Sequence, residues 1–402
     1  MIWKLIHIID ITLWLFMAAS VVYVLFFAMI SILWKKRASK LTRYLTGQVL
    51  AMRKKDFFSY LILYPAYNED RVIVNSVQKF LAQYYPYNSF HVAVISDHMQ
   101  PETNQKLSEL PITLLQPVFE KSSKAKAMQY AMDQIKEDYD FIVILDADNV
   151  VEPHFLEQLN TECAKGYKAI QCHRCAKNSN NDVAVLDGVS EEINNTIFRK
   201  AHNRIGLSAA LIGSGMCFDY QLFKENVYNL SSVGEDKELE AHLLLQKVFI
   251  KYEPDIHVFD EKVSNKDNFQ KQRLRWMTAQ IQSLFMQLPH LPYAIRTGNI
   301  DYINKTIQQA LIPRSMLVVG AFVVCIFMTI FSLLLSLSWY IKWWCLFLAI
   351  CISLYLAIPK QLRSQTVFGK ILSVPALVWK MVLNIPKISR RNTDFIHTTH
   401  DK

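Results

Sequence analysis

Phe141-Ile142-Val143-Ile144-Leu145-Asp146-Ala147-Asp148-Asn149 is the stretch that decides the fold. Five apolar residues, three of them β-branched, read as a short buried strand, and the polar residues that follow read as the turn at its carboxyl end. Similar runs precede polar turns at Tyr60–Leu63, His91–Ile95 and Ile112–Leu115. Helical patterns lie between them: in Lys124–Ile135, Met128, Ala131, Met132 and Ile135 fall at i, i+3, i+4 and i+7. This alternation predicts an α/β domain with a mostly parallel sheet covered by helices. Ligands of such sheets gather at the carboxyl ends of the strands.

Polar constellations stand at those ends. The first strand runs into Tyr64-Pro65-Ala66-Tyr67-Asn68-Glu69-Asp70, the second into Ser96-Asp97, and the fourth into Asp146-Ala147-Asp148-Asn149. Neither G-x-G-x-x-G nor G-x-x-x-x-G-K-[ST] occurs, so the charge of a bound phosphate has to be met by a metal. Asp146 and Asp148, two apart in an extended turn, can aim both carboxylates to one side, as a hard divalent cation requires. Further along, Gly213-Ser214-Gly215 is followed by Gly234-Glu235-Asp236, which opens a helix carrying Leu239, Leu243 and Leu244. Acids in a first helical turn can simply cap it. Behind a glycine at a cavity edge they also meet the needs of a general base: close backbone approach and a carboxylate near the acceptor. In Gln272-Arg273-Leu274-Arg275-Trp276, helical spacing puts Gln272, Arg275 and Trp276 on one face. Leu274, Met277, Ile281, Leu284, Phe285 and Leu288 fall on the opposite face. The polar face suits a diphosphate held bidentately by Arg275, with a sugar lying on Trp276.

Charge separates the ends of the chain from its middle. The 402 residues carry 44 Lys and Arg against 35 Asp and Glu, a balance of +9. Residues 1–56 hold 9 basic and 2 acidic side chains and residues 296–402 hold 12 and 3, whereas the 239 residues between hold 23 and 30. An acidic middle excludes nucleic acid as the partner, and the basic flanks coincide with long apolar runs that place them against anionic membrane lipids. Residues 11–34 lack charge and precede Lys35-Lys36-Arg37; residues 315–341 and 343–359 form a hairpin broken by Lys342, with Trp339, Trp343 and Trp344 at the interface. Each run is long enough to cross a hydrocarbon core of about 30 Å, and the first reads as an anchor rather than a cleaved leader.

Eight cations between Lys35 and Lys55, against Lys4 alone before the first run, place the N-terminus outside a bacterial-type cell membrane and the middle domain in the cytoplasm. Arg296, Lys305 and Arg314 before the hairpin, and Lys360, Arg363 and Lys370 after it, agree and put the C-terminus inside. The apolar stretch 371–386, interrupted by Pro375 and Lys380 and followed by Lys387, Arg390 and Arg391, reads as an interfacial helix. The expected organisation is thus an anchor and basic linker (1–56), a cytoplasmic domain (57–295), and a hairpin, interfacial helix and basic tail (296–402). Seven cysteines, with Cys172-x-x-Cys175 the one close pair, read as reduced thiols rather than as a disulfide or zinc framework.

Taken in order, P-x-Y-N-E at 65–69, Asp97, Lys124, D-x-D at 146–148, G-E-D at 234–236 and Q-x-x-R-W at 272–276 resemble the membrane-bound inverting family 2 glycosyltransferases. These are the relatives of cellulose, chitin, hyaluronan and poly-N-acetylglucosamine synthases. The resemblance covers about residues 57–290 by motif and the flanking runs by layout. It implies a Rossmann-like, A-type glycosyltransferase domain, a UDP-sugar donor, Mg²⁺ or Mn²⁺, and β-linked transfer to a lipid-linked or glycan acceptor in cell-surface polysaccharide or glycolipid synthesis. By the same likeness Tyr67 and Glu69 would hold the uracil, and Asp97 and Lys124 would complete the nucleotide pocket. Asp146 would contact the donor and, with Asp148, ligate the metal. Asp236 would deprotonate the acceptor, Gln272 and Arg275 would steady the leaving diphosphate, and Trp276 would stack under the acceptor, beside Gly213, Ser214 and Glu235.

Two departures stand out. Of the D-D-x-S or A-D-N-C segment usual after the second strand, Ser96-Asp97-His98-Met99 keeps only Asp97, and Gly234 stands where threonine is usual. Three spans and one interfacial helix give little wall for a polysaccharide channel, which favours transfer of one or a few sugars. A processive synthase that also secretes its product would need homo-oligomerisation to build that wall. A membrane nucleotidyltransferase could use Asp146 and Asp148 but leaves Gln272, Arg275 and Trp276 without a role.

Overall fold

A computed structural model describes residues 2–33, 55–178, 182–232, 234–263, 266–335 and 339–363. Most of the basic linker, the stretch 371–386 and the basic tail lie outside the described residues. After helix α1 (Ile2–Leu33) the chain alternates through β1 (Tyr60–Tyr67), α2 (Ile73–Phe80), β2 (Phe90–Asp97), α3 (Pro101–Ser108), β3 (Thr113–Leu115), α4 (Lys124–Gln134) and β4 (Phe141–Ile144). β5 (Val150–Val151), α5 (Phe155–Ala164), β6 (Ala169–Ala176), α6 (Asp182–Asn194), β7 (Met216–Asp219), α7 (Tyr220–Val227), α8 (Glu235–Leu245) and β8 (Ile250–Asp260) follow. The eight strands form one sheet in the order β3-β2-β1-β4-β7-β6-β8-β5. β3, β2, β1 and β4 are mutually parallel, β7 runs antiparallel to both β4 and β6, β8 is parallel to β6, and β5 is antiparallel to β8. The result is a mixed sheet of the A-type glycosyltransferase kind.

Pleating sorts the side chains into two cores. β1 sends Leu61 and Leu63 to the face covered by α4, α7 and α8, and Tyr60, Ile62 and Tyr64 to the face covered by α2, α3 and α5. Each of these side chains is sealed from water, which is worth roughly 1.5–3 kcal/mol for a Leu or Ile. The first core also takes in Ala294 and Tyr302, from α10 (Leu291–Arg296) and α11 (Ile300–Ala310), which follow α9 (Lys266–Gln287). The globular unit therefore continues past the expected boundary at 295. Lys305, read from sequence as a loop cation, is buried in α11 and pairs with Glu240 at 2.8 Å.

Among the described residues three helices are long and apolar enough to cross a membrane: α1, α12 (Arg314–Leu335) and α13 (Tyr340–Ala357). α1 begins well before residue 11 and contains Asp10, whose carboxylate is buried against the Lys342 ammonium and accepts from Trp343 Nε1 at 2.8 Å. Pairing is what lets a charge sit inside an apolar helix. It also draws Trp343, expected at the interface, into a fully buried position.

The other half of α1 packs on the sheet domain. Met17, Val21, Val24, Phe27 and Ala28 join Ile193, Ile197, Ala201 and Leu207 in one apolar cluster, where α6 runs on through a π-helical turn, Asn195–Ala201. The Phe27 ring stacks on His202 at 3.8 Å, and the Tyr23 hydroxyl donates to Asn304 Oδ1 at 3.0 Å. Among the described residues α1 packs directly on the sheet domain along this contact.

Candidate active site

Strand register brings the constellations level. Tyr67 on β1 pairs with Asp97 on β2, and Leu63 with Ile144 on β4, so Tyr67, Asp97 and Asp146 end three neighbouring strands on one edge. The antiparallel entry of β7, with Met216 opposite Ile144, sets Gly213-Ser214-Gly215 directly beside the D-x-D turn. Lys124, the first residue of α4, donates to the Asp146 carboxylate and, at 2.6 Å, to the Gly213 carbonyl, tying the two turns together. Gly213 has φ +82°, and a Cβ there would stand 3.8 Å from Glu235 Oε1 and 3.9 Å from Asp236 Oδ2. These distances carry the chain of proximity to the start of α8. Gly234 is held by packing: a Cβ would fall 2.6 Å from Ala279 Cβ, so only glycine lets α8 start against α9. The same closeness accounts for the missing threonine.

One continuous cavity of about 900 Å³ gathers these groups. Tyr67, Glu69, Asp97, Lys124, Asp146, Asp148, Gly213, Glu235, Asp236, Gln272, Arg275 and Trp276 all line it. Ser214 does not; it is fully buried, donates to Asn149 Oδ1 and accepts from the Asp146 amide at 3.2 Å. Placed on the acceptor side by sequence, it braces the D-x-D turn from beneath instead, because its hydroxyl is already spent there. Asp97, 3% exposed, accepts from His98 Nδ1 at 2.5 Å, and the His98 ring lies 5.4 Å from that of Tyr67.

Electrostatics distinguish the acids. Burial pushes the Glu235 carboxyl up to about 7; Lys124 opposes this and Asp236 adds to it. Burial alone would lower the Lys124 ammonium, but Asp146, Glu235 and Asp236 outweigh it and raise the pKa. Asp236 accepts a local hydrogen bond from the Lys237 amide at 2.9 Å. Asp148 is fixed by Asn149 Nδ2 at 3.1 Å and the Glu261 amide at 2.9 Å, and Asn149 also donates to Asp260 Oδ1 at 3.2 Å. Asp146, Asp148 and Asp260 all line the cavity, and the carboxylates of Asp146 and Asp148 are oxygen donors of the kind that suits Mg²⁺ or Mn²⁺.

Sequence reasoning missed the inner wall. Arg174, Glu191, Arg199, Asp260, Lys262, Arg273 and Arg314 also line the cavity. Glu191 meets Arg174 at 3.0 Å and Arg199 at 3.3 Å, and Lys262 meets Asp260 at 2.7 Å. Burial works against the Glu191 carboxylate, yet Arg174, Lys262 and Arg199 hold it well below the usual range. Arg273 stacks between Phe269 and Trp276, 4.7 and 4.5 Å from the ring centres, and binds Asp187 at 2.5 Å. It lay between the motif residues in the sequence, and the two-faced reading of α9 passed over it. Met277, expected opposite the polar face, lines the cavity too. Beyond these groups the lining turns apolar: Val24, Phe198, Ile312, Val318, Phe347 and Leu354 come from α1, the π-helical turn and the region of α12 and α13. Outside the cavity, His173 lies between Glu192 (Nε2, 2.9 Å) and the Tyr252 hydroxyl (Nδ1, 2.6 Å), close to Cys175.

A family model described as "Glycosyltransferase like family 2" matches residues 59–279. No curated protein matches the chain. Among solved structures, the mannosyltransferase PcManGT from Pyrobaculum calidifontis, in complex with GDP-Man and Mn²⁺, is 14% identical, with 84% of this chain and 97% of that one covered and a TM-score of 0.47. TarS 1–349 of S. aureus in complex with UDP-GlcNAc is 11% identical over 82% of this chain and 90% of that one, with a TM-score of 0.42. Glucosyl-3-phosphoglycerate synthase from Mycobacterium tuberculosis, with Mn²⁺, uridine-diphosphate and glucosyl-3-phosphoglycerate, is 12% identical over 55% of this chain and 80% of that one, with a TM-score of 0.37.

Proposed function

The chain belongs to the family 2-like glycosyltransferases, and from that premise we propose that it is an integral-membrane, inverting enzyme moving a sugar from a UDP-sugar to a lipid-linked or glycan acceptor. One observation carries the reading: the cavity that collects the D-x-D, G-E-D and Q-x-x-R-W residues continues without a break between the apolar helices. A soluble acceptor would not require that continuation. In this reading α1, α12 and α13 cross the membrane with the N-terminus outside and the sheet domain inside, as the cations beside them direct. A reporter fused after Lys402 that proved extracytoplasmic would overturn the orientation.

Tyr67 and Glu69 would hold the uracil, with Asp97 and Lys124 at the nucleotide. Asp148 and Asp146 would hold Mg²⁺ or Mn²⁺, which supplies counter-charge for a bound diphosphate. Asp236 takes the proton of the acceptor hydroxyl, and that oxygen attacks the anomeric carbon from the face opposite the diphosphate. Arg275 receives charge developing on the leaving group. Gln272, whose side-chain oxygen is buried without a hydrogen-bond partner among the described residues, would steady the leaving diphosphate together with Arg275. Trp276 supplies the flat surface for the acceptor. A single displacement inverts the centre, so an α-linked donor gives a β-linked product.

The test is UDP release by the purified chain in detergent with a divalent metal and a panel of nucleotide sugars. Asp236→Asn should lose about 10²–10⁴-fold in turnover while still binding UDP. Full transfer by this variant would remove Asp236 as the base, and consumption of UTP or CTP with pyrophosphate released would identify a nucleotidyltransferase instead.

A further inference from the structure

We infer that the inner part of the cavity binds the phosphate of an anionic membrane lipid, one in which a phosphate joins the apolar chains to a hydroxyl-bearing head. The inference rests on the glycosyl-transfer reading, for which it names the class of acceptor. Three features carry it. First, cations outnumber carboxylates on the inner wall: Arg174, Arg199, Lys262, Arg273 and Arg314 line it together with Glu191, Asp260 and Glu261, and Asp187 pairs with Arg273, five cations against four anions. Second, the cation without a carboxylate partner opens an apolar helix, α12. Arg314 donates to the Ser190 carbonyl at 3.1 Å and to Asn194 Oδ1 at 2.7 Å, both neutral, and no carboxylate among the described residues lies within ion-pair distance of it. Its nearest charged neighbours include Arg273 and Arg199, which repel it, and Glu191, already shared by Arg174 and Arg199. The Nε atoms of Arg273 and Arg174 are buried with no hydrogen-bond partner among the described residues, though Arg174 Nε lies 3.9 Å from Asp260 Oδ2. Guanidinium groups whose carboxylate partners are shared or, for Arg314, missing among the described residues suit an anion with several oxygens, and a phosphate offers them in forked geometry.

Third, the wall adjoins the apolar lining. Val24, Ile312, Val318, Phe347 and Leu354 begin where Arg314 ends, so an anion bound there can keep its hydrocarbon among α1, α12 and α13. In the other direction Arg273 stacks on Trp276, and Trp276 belongs to the same cavity wall as Asp236. A head extending from the phosphate across Trp276 would bring its hydroxyl toward Asp236. Asp236 then accepts the hydroxyl proton, the oxygen forms the bond to the anomeric carbon, and the bond from that carbon to the UDP oxygen breaks with its electron pair leaving on UDP.

The probes are phosphatidylglycerol, a glucosyl diacylglycerol with the same acyl chains but no phosphate, and glycerol phosphate without chains. Each is titrated against the full chain in detergent, with native mass spectrometry counting bound lipid. The wild type should retain one phosphatidylglycerol at least about tenfold more tightly than the neutral glycolipid, the size expected for one charge-assisted pair, and should hold glycerol phosphate far more weakly. Arg314→Gln should abolish the preference for the anionic lipid, and Arg314→Lys should keep part of it. Val318→Trp, which fills the apolar end, should weaken both lipids and leave glycerol phosphate unchanged. Equal binding of the two lipids, or a preference that survives Arg314→Gln, overturns the inference. Glycerol phosphate binding as tightly as the lipid overturns the lipid part and leaves a site for a soluble phosphate ester. A UDP titration of the wild type reports separately on the donor site: if UDP fails to bind, the transferase reading falls while the lipid comparison still decides this one.

Discussion

Glu235→Gln should make this protein more stable, and only above a definite pH. Glu235 opens α8, partly buried beside Lys124 and Asp236, and burial lifts its pKa from 4.5 to about 7. Below pH 4.5 the carboxyl is protonated in both native and unfolded chains and contributes nothing. Between pH 4.5 and 7 the native chain keeps a proton that the unfolded chain releases, so stability falls as pH rises; above 7 the penalty is complete. The shift of about 2.5 units, at 1.36 kcal/mol per unit, gives roughly 3 kcal/mol, trimmed to about 2–3 because the carboxyl is partly open to water. For a domain of this size 1 kcal/mol moves the unfolding midpoint by about 2–4 °C, so the variant should gain roughly 5–10 °C at pH 8 and almost nothing at pH 4.5. Lys124 stays paired with Asp146 in the variant, so no cation is orphaned. The assay is thermal unfolding of the full chain in detergent, without divalent metal, from pH 4.5 to 8.5. An unchanged midpoint at pH 8, or an equal gain at both ends, would refute the electrostatic account.

Lys124→Met removes the cation that Asp146, Glu235 and Asp236 share, so UDP affinity should fall by about tenfold to a hundredfold in calorimetric titration and the Glu235 pH window should move upward. Gly234→Thr restores the usual threonine but drives a Cβ to 2.6 Å from Ala279 Cβ; it should cost about 1–3 kcal/mol in denaturation, and Ala279→Gly should recover part of the loss. Asp10→Asn leaves Lys342 without its carboxylate. Because that lysine is 27% exposed the cost should be about 1–2 kcal/mol, read as a lowered midpoint that Lys342→Met in the same chain largely restores.

The sequence was most legible where chemistry is local. Apolar runs ending in carboxylates located β1, β2 and β4, since buried parallel strands need continuous apolar residues and their ligands meet the backbone turns that follow. The motif residues then converged because register is common to neighbouring strands. What sequence could not show depends on pairings between distant segments. Nothing in Met216–Asp219 says that β7 enters antiparallel, yet that reversal puts Gly213 beside Asp146 and spends the Ser214 hydroxyl beneath the turn. Arg174, Glu191, Arg199, Asp260 and Lys262 come from four separate stretches and carry no motif; only the mutual burial of their charges marks them. Lys305 and Arg314 were read as cations of a cytoplasmic loop, a reading that counts charge by position and is blind to tertiary partners. One is locked to Glu240, and the other lines the cavity.

α6 and its π-helical extension explain why the sheet domain and the apolar helices act as one unit. Successive faces of this element have different tasks. Glu191 and Asn195 point toward the sheet, where Arg199 donates to both. Ser190 and Asn194 turn toward α12 and hold Arg314. Ile193, Ile197 and Ala201 bury against α1. A regular helix would drift by about 100° per residue and bring only one of these sets into register at its far end; the extra residue of a π turn resets the phase, so that Arg199 faces the sheet while His202 still meets Phe27. A shift of α1 or α12 relative to the sheet would therefore have to break part-buried hydrogen bonds of Arg204, Tyr23 or Arg314. Such bonds are costly to leave unmade. The end of the cavity that holds the carboxylates and the end lined by apolar side chains are thus fixed relative to each other by one helix, which is the arrangement a transferase needs if its donor arrives from water and its acceptor from the membrane.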